Sequence, residues 1–190
     1  MHRAVISVAF QRPLARALVM SAYVLGVEWA RALVMRAPGA MFPALLLGGA
    51  ALVLAGAGWQ PKRLGIGRDR LLLRILGGLA LGVVLLLPAA VRPGSAPLLP
   101  FGLAVAAIAI SIGEEIAFRG ALYAALEDVG GAPVAIFWST VLWTAAHALS
   151  HPPAFLGAVF AAGLVLALWR WACRDLVGPV VGHVLADLAL

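Results

Sequence analysis

Apolar runs of membrane-spanning character, each closed by Pro, Gly or charge, recur along this whole chain. The stretch from Leu98 to Gly113 holds no charged residue at all. A transmembrane helix needs about 20 mostly apolar residues, and the runs supply seven such segments: 14–33, 40–58, 71–91, 98–126, 133–149, 153–171 and 177–190. The breaks between them are Arg36-Ala37-Pro38-Gly39, Trp59 to Arg70, Arg92-Pro93-Gly94-Ser95, Glu127 to Gly131, His151-Pro152-Pro153 and Arg170 to Asp175, the residue types that end helices. The spacing predicts an all-α polytopic transmembrane bundle. Hydrophobic residues make up 64% and charged residues 12% of the sequence, with a mean hydropathy of +1.04. That excludes a soluble domain.

The length of 190 residues suits one compact bundle and leaves no room for a second globular domain. The net charge of +6 raises the question of nucleic acid, but the basic residues cluster at the ends of apolar runs. Membrane topology explains that distribution, and no nucleic-acid partner is expected. With seven spans and the N-terminus inside, eleven Lys and Arg fall inside: Arg3, Arg12, Arg16, Lys62, Arg63, Arg68, Arg70, Arg74, Arg119, Arg170 and Arg174. Three fall outside: Arg31, Arg36 and Arg92. The positive-inside rule then predicts a multi-pass protein of the bacterial inner (cytoplasmic) membrane, N-terminus inside and C-terminus outside.

The first segment carries Arg16, Glu28 and Arg31 and is the weakest span; lying along the interface is its alternative. Arg12, Pro13 and Arg16 interrupt what would be the apolar core of a signal peptide. The single cysteine, Cys173, rules out an internal disulfide and a cysteine metal cluster, and is expected to pack as a small apolar residue. Trp59, Trp169 and Trp171 read as interfacial anchors. Gly48-Gly49, Gly77-Gly78 and the region Gly157 to Gly163 read as sites of close helix packing.

Chemistry concentrates in the second half. Glu114 and Glu115 lie side by side in one of the most apolar stretches, where carboxylates are costly and tend to persist only where they act. With Arg119 they form E-E-x-x-x-R. Glu115 and Arg119 are i,i+4 neighbours on a helix and can pair, while Glu114 points about 100° away and stays available. Trp143-Thr-Ala-Ala-His147 places an aromatic ring one turn from an imidazole. His183-Val-Leu-Ala-Asp187 puts an imidazole and a carboxylate on one helix face. Glu114 lies sixteen residues before Gly130 and His147 seventeen after it. An antiparallel hairpin turning at Gly130-Gly131 therefore brings both to one level. A carboxylate beside an imidazole can take a proton from water, and a nearby imidazole N–H can stabilise an oxyanion.

These three elements, in this order and each in its own apolar segment, resemble the CAAX protease and bacteriocin-processing family (CPBP, also called Abi), which are glutamic intramembrane endopeptidases. The resemblance covers about residues 98–190, with 1–97 as N-terminal transmembrane segments of uncertain role. It implies that Glu114 activates water with help from His147, and that His183 and Asp187 form the oxyanion site. Glu115 and Arg119 would position the helix and carboxylate. It implies no metal or organic cofactor, and a peptide or protein substrate met in membrane lipid. Two departures stand out. Trp143 occupies a place where the family usually has Phe, a change that keeps an aromatic, and Asp187 stands where Asn is common.

Other readings remain open beside this one. Glu114 and Glu115 can be a structural pair neutralised by Arg119, and His183 with Asp187 a polar clamp between helices. His151, four residues after His147, invites a metal reading, but it precedes Pro152-Pro153 and reads better as a loop histidine. There is no H-E-x-x-H zinc motif, no G-x-S-G element and no pair of intramembrane aspartates. A non-catalytic immunity or scaffold protein and a proton-coupled carrier are the remaining alternatives. A carrier is expected to have related halves, and the sequence has none. The substrate classes in view are prenylated C-terminal motifs, leader peptides and C-terminal sorting signals with a hydrophobic tail.

Overall fold

In a computed structural model the described residues are 12–67, 69–90 and 99–189, and every element among them is helical. Arg3, Arg68, Arg92, the Pro93-Gly94-Ser95 break and the boundary expected at 97/98 lie outside the described residues. The elements are α1 (Pro13–Val34), α2 (Met41–Leu54), a single turn α3 (Pro61–Leu64), α4 (Leu71–Ala90), α5 (Phe101–Glu114), a π-helical stretch (Glu115–Leu122), α6 (Tyr123–Ala146), α7 (Pro153–Cys173) and α8 (Val177–Ala189).

Helical segments follow one another without a long loop over the 49 residues from Phe101 to Leu149, yet the chain reverses inside this trace. Gly130 (φ −153°, ψ 23°) and Gly131 (φ 73°, ψ −171°) leave helical geometry. The positive φ at Gly131 suits a residue without Cβ, and Pro133 then starts the returning leg, where a missing N–H costs nothing. The expected hairpin thus turns where the sequence placed it. Counting its two legs separately, the described residues form seven helical segments besides the single turn α3. Pro13–Val34, the hairpin trace and Pro153–Cys173 are long and apolar enough to cross a membrane; Met41–Leu54, Leu71–Leu87 and Val177–Ala189 are shorter apolar helices.

Packing interleaves the two halves of the chain. Helix α2 lies on α5, α4 on α8, and α1 on α6. The α2–α5 crossing is close because both helices present glycine: a Cβ on Gly113 would overlap the Gly49 carbonyl. Such small-residue contacts let helices approach where lipid gives no hydrophobic drive. The crossing fixes the height of Glu114, the next residue. Gly163 of α7 likewise leaves room for the Trp143 ring, against which a Cβ would sit at 2.6 Å. Gly157, in contrast, has nothing within 4 Å of such a Cβ, so the packing role expected over Gly157 to Gly163 belongs to Gly163.

The two ends of the bundle differ in charge. One end carries Arg12 and Arg16 at the start of α1, Lys62 and Arg63 in α3, Arg70 and Arg74 at the start of α4, and Arg174 just past α7. Acidic partners meet them there: Arg63 pairs with Asp128, Arg174 with Glu127 at 2.8 Å, and Arg74 with Asp175 at 3.0 Å. Asp175 also caps α8, accepting from the Val177 and Gly178 N–H groups at 3.0 and 2.8 Å. That cap sets where α8 begins. At the opposite end the described helix termini are Val34, Met41, Ala90, Phe101, Leu149, Pro153 and Ala189, and Arg36, in the turn after α1, is exposed there.

Several sequence expectations change here. Arg119 is fully buried and pairs inside the bundle, and Arg31 is buried as well, so neither belongs to a loop charge count. Trp169 turns inward, donating Nε1–H to Asp175 at 3.4 Å instead of anchoring at the interface. Cys173 is exposed: it is the last residue of α7 and does not pack as a buried apolar residue.

Candidate active site

Glu114, Glu115, Arg119, Trp143, His147, His183 and Asp187 converge at one place. Helix α5 delivers Glu114 at its last residue, and the π stretch begins at Glu115. A π turn widens the helix by one residue and is found disproportionately at functional sites. Both carboxylates are buried, and a buried charge must be paired. Glu115 Oε1 accepts from Arg119 Nη1 at 3.0 Å, the i,i+4 contact expected from spacing, and also from His183 Nδ1 at 2.9 Å. The Arg119 guanidinium also lies 4.2 Å over the Trp143 ring, within cation–π range.

Glu114 is held by different groups. Trp143 donates its indole N–H to Oε2 at 2.9 Å. The aromatic change from Phe is therefore not neutral: it adds a donor that a phenyl ring lacks. His147 Nε2 stands 3.6 Å from the same Oε2, so the depth argument about Gly130 holds. Its other nitrogen, Nδ1, lies 2.8 Å from the Trp143 carbonyl. A carbonyl can only accept, so Nδ1 carries a proton, and in the neutral form of the ring the lone pair of Nε2 faces Glu114. At 3.6 Å the two acceptors do not bond one another. They face a common spot.

On α8, His183 Nε2 lies 3.5 Å from Asp187 Oδ2, one turn on as expected. Asp187 is the most open member, its side chain about one-third exposed (32%). Its Oδ2 is 2.7 Å from Ser111 Oγ, which is itself 2.7 Å from the Ala107 carbonyl. His151 lies outside this constellation, its ring 5.3 Å from that of His147 and stacked on Phe155 at 5.2 Å. Burial and the neighbouring His147 lower its pKa from the ordinary histidine value. Among the described residues no group of three or more His, Cys, Asp and Glu side chains is arranged to hold a metal ion.

Sequence reasoning missed three contributors. Arg31 Nη2 approaches Glu114 Oε1 at 3.5 Å, and Glu28 binds the same guanidinium. Helix α1, doubtful because of those charges, is a bundle member because of them: both turn inward and are buried. Two opposite charges three residues apart in an apolar run carried the same signal as Glu114 and Glu115. Ser111 gave no such signal, since a lone serine in a membrane helix ordinarily bonds the carbonyl one turn back.

Residues 96–189 match the family model described as Type II CAAX prenyl endopeptidase Rce1-like. Through those residues, about half of its length, the chain belongs to this family. No curated protein and no solved structure is matched. The matched region contains every predicted site residue, whereas Glu28 and Arg31 lie before it. Family membership and apolar helices together give a membrane protein of protease type.

Proposed function

We propose that the chain is a glutamic intramembrane endopeptidase that hydrolyses a peptide bond of a membrane-associated or tail-bearing substrate, using Glu114 as general base. The observation that carries this reading is the shared spot between Glu114 Oε2 and His147 Nε2, 3.6 Å apart. A water there donates one hydrogen to each acceptor. Glu114 takes a proton as the water oxygen attacks the scissile carbonyl carbon. The carbonyl oxygen becomes an oxyanion, the C–N bond breaks, and the proton on Glu114 passes to the leaving amine. His147 orients the water through Nε2, while Trp143 and Arg31 hold the carboxylate.

The oxyanion falls to His183. Its Nδ1–H is committed to Glu115, so donation toward substrate uses Nε2–H and requires the imidazolium. The Glu115 carboxylate, 2.9 Å from Nδ1, is the counter-charge for that form. Asp187 acts best protonated. Ser111 has one hydrogen, which the Ala107 carbonyl claims, so the close Asp187–Ser111 contact is satisfied by a proton on Asp187.

The catalytic core is 98–190, completed by α1 of the N-terminal segments, in a multi-pass protein of the bacterial inner membrane with its N-terminus inside. The reaction uses no metal. Cleavage of a membrane-tethered peptide by the purified protein in detergent or vesicles is expected to survive EDTA and phenanthroline. Loss on chelation with rescue by zinc would overturn the mechanism. Asp187→Asn keeps a donor to Ser111 and is expected to retain most activity, whereas Asp187→Ala loses it.

A further inference from the structure

We infer that the active site opens to the extracytoplasmic side of the membrane, so that its substrate is a polypeptide whose scissile bond is presented there after translocation. This deepens the proteolytic reading and rests on it for the word substrate, but its geometry stands apart from the chemistry.

Three observations carry it. First, three groups of the site lie near helix ends on the same side of the bundle, opposite the basic end. Arg31 is three residues from the end of α1 at Val34, Asp187 two from the end of α8 at Ala189, and His147 begins the final turn of its helix. At 1.5 Å per residue these groups lie within about one turn of their helix ends, while Glu114 lies thirteen residues inside α5, about 20 Å from Phe101. Second, the exposed member of the cluster is on that side. Asp187 is the partly exposed member of the cluster, while Glu115 and Arg119, deeper along the same helical trace, are fully buried. The cluster is thus sealed toward the far end, where Phe118, Leu122 and Tyr123 fill the interior.

Third, the far end is the basic one. Arg16, Lys62, Arg63, Arg70, Arg74 and Arg174 gather there, and the rim beside the site offers Arg36. Lys and Arg in short loops are retained on the cytoplasmic side. Setting aside Arg31 and Arg119, which the structure buries in the site, leaves the asymmetry intact, because the basic loops after α2 and α7 and the start of α1 all lie on one face. The mouth of the site therefore faces away from the cytoplasm. A tail exposed to the cytoplasm meets the closed, charged end, whereas an exported chain anchored by a hydrophobic segment presents its flanking peptide at the rim.

The chain carries its own reference mark. Cys173 is exposed at the basic end, and Ala37, in the loop between α1 and α2, is exposed at the site rim. Neither is part of the site. In intact cells a membrane-impermeant maleimide is expected to label Ala37→Cys made in a Cys173→Ala background and to leave the native Cys173 unlabelled. Inverted vesicles are expected to give the opposite pattern. Detergent-solubilised protein labels at both positions and confirms reactivity. Labelling of Cys173 but not Ala37→Cys in intact cells, or of both positions from one side, overturns the inference whether or not the protein cleaves anything. A second arm places the same tail peptide on either side of a membrane anchor. Cleavage of the outward-facing tail alone is expected, and cleavage of the inward-facing tail alone overturns the substrate class. If neither tail is cut while the labelling holds, the proteolytic reading fails and the orientation stands.

Discussion

The two ends of this bundle use charge in opposite ways. At the basic end, pairs such as Arg174–Glu127 are solvent-facing, with the arginine side chain 65% exposed. Such pairs contribute about 0–1 kcal/mol, and their value to the chain lies in topology. At the site end Glu28, Arg31, Glu114, Glu115, Arg119 and His183 are all buried. Desolvating such groups costs more than an apolar replacement would. Evolution toward stability alone would favour leucine at these positions, so the second set points to chemistry and the first to placement in the membrane.

Breaking a buried pair on one side gives the largest expected effect. Arg31→Met leaves Glu28 and Glu114 facing each other without their shared cation, and removing one partner of a buried pair typically costs about 3–5 kcal/mol. Thermal unfolding in detergent checks this, with a fall in midpoint of many degrees expected. Glu28→Gln combined with Arg31→Met removes one charge of each sign and is expected to recover most of the loss. If the double variant is no better than the single one, these charges do not balance one another.

A smaller effect is expected at Trp143. Phenylalanine preserves the aromatic packing but removes the N–H that Glu114 Oε2 accepts at 2.9 Å. A hydrogen bond to a charged group is worth about 1.5–3 kcal/mol. Trp143→Phe is therefore expected to lower kcat by roughly 10- to 100-fold with KM little changed, since the indole holds the base and not the substrate. An unchanged kcat would return Trp143 to a packing role. Smallest of all is Arg174→Ala at the basic end, expected to shift stability by under ~1 kcal/mol and to leave turnover unchanged. A large loss there would erase the contrast between the two ends.

The sequence made the hairpin legible because two features coincided: nearly equal spacing of Glu114 and His147 about Gly130, and a glycine pair able to turn. The Glu115–Arg119 contact followed from helical geometry alone. Arg31 was not legible as a site residue, because nothing in one sequence says that α1 packs on α6 with that face inward, and its charge argued against a span. Arg119 was counted with the cytoplasmic cations for a related reason: hydropathy registers that a charge is present but not that a partner one turn away neutralises it. The indole N–H of Trp143 was passed over because aromatic identity was weighed by shape, while its effect comes from a donor. His183 was placed beside Asp187 but not beside Glu115, since the packing of α8 against α5 is a tertiary fact.

The central claim is that Glu114 is the base. Its most direct test is turnover by Glu114→Gln, which keeps the shape of the side chain and an oxygen that can accept from Trp143 but cannot take a proton from water. Cleavage of a tethered tail peptide is expected to fall by at least ~10²- to 10⁴-fold, while the variant still inserts, purifies and gives the wild-type maleimide pattern. Turnover within a few-fold of wild type in that correctly inserted variant would contradict the account.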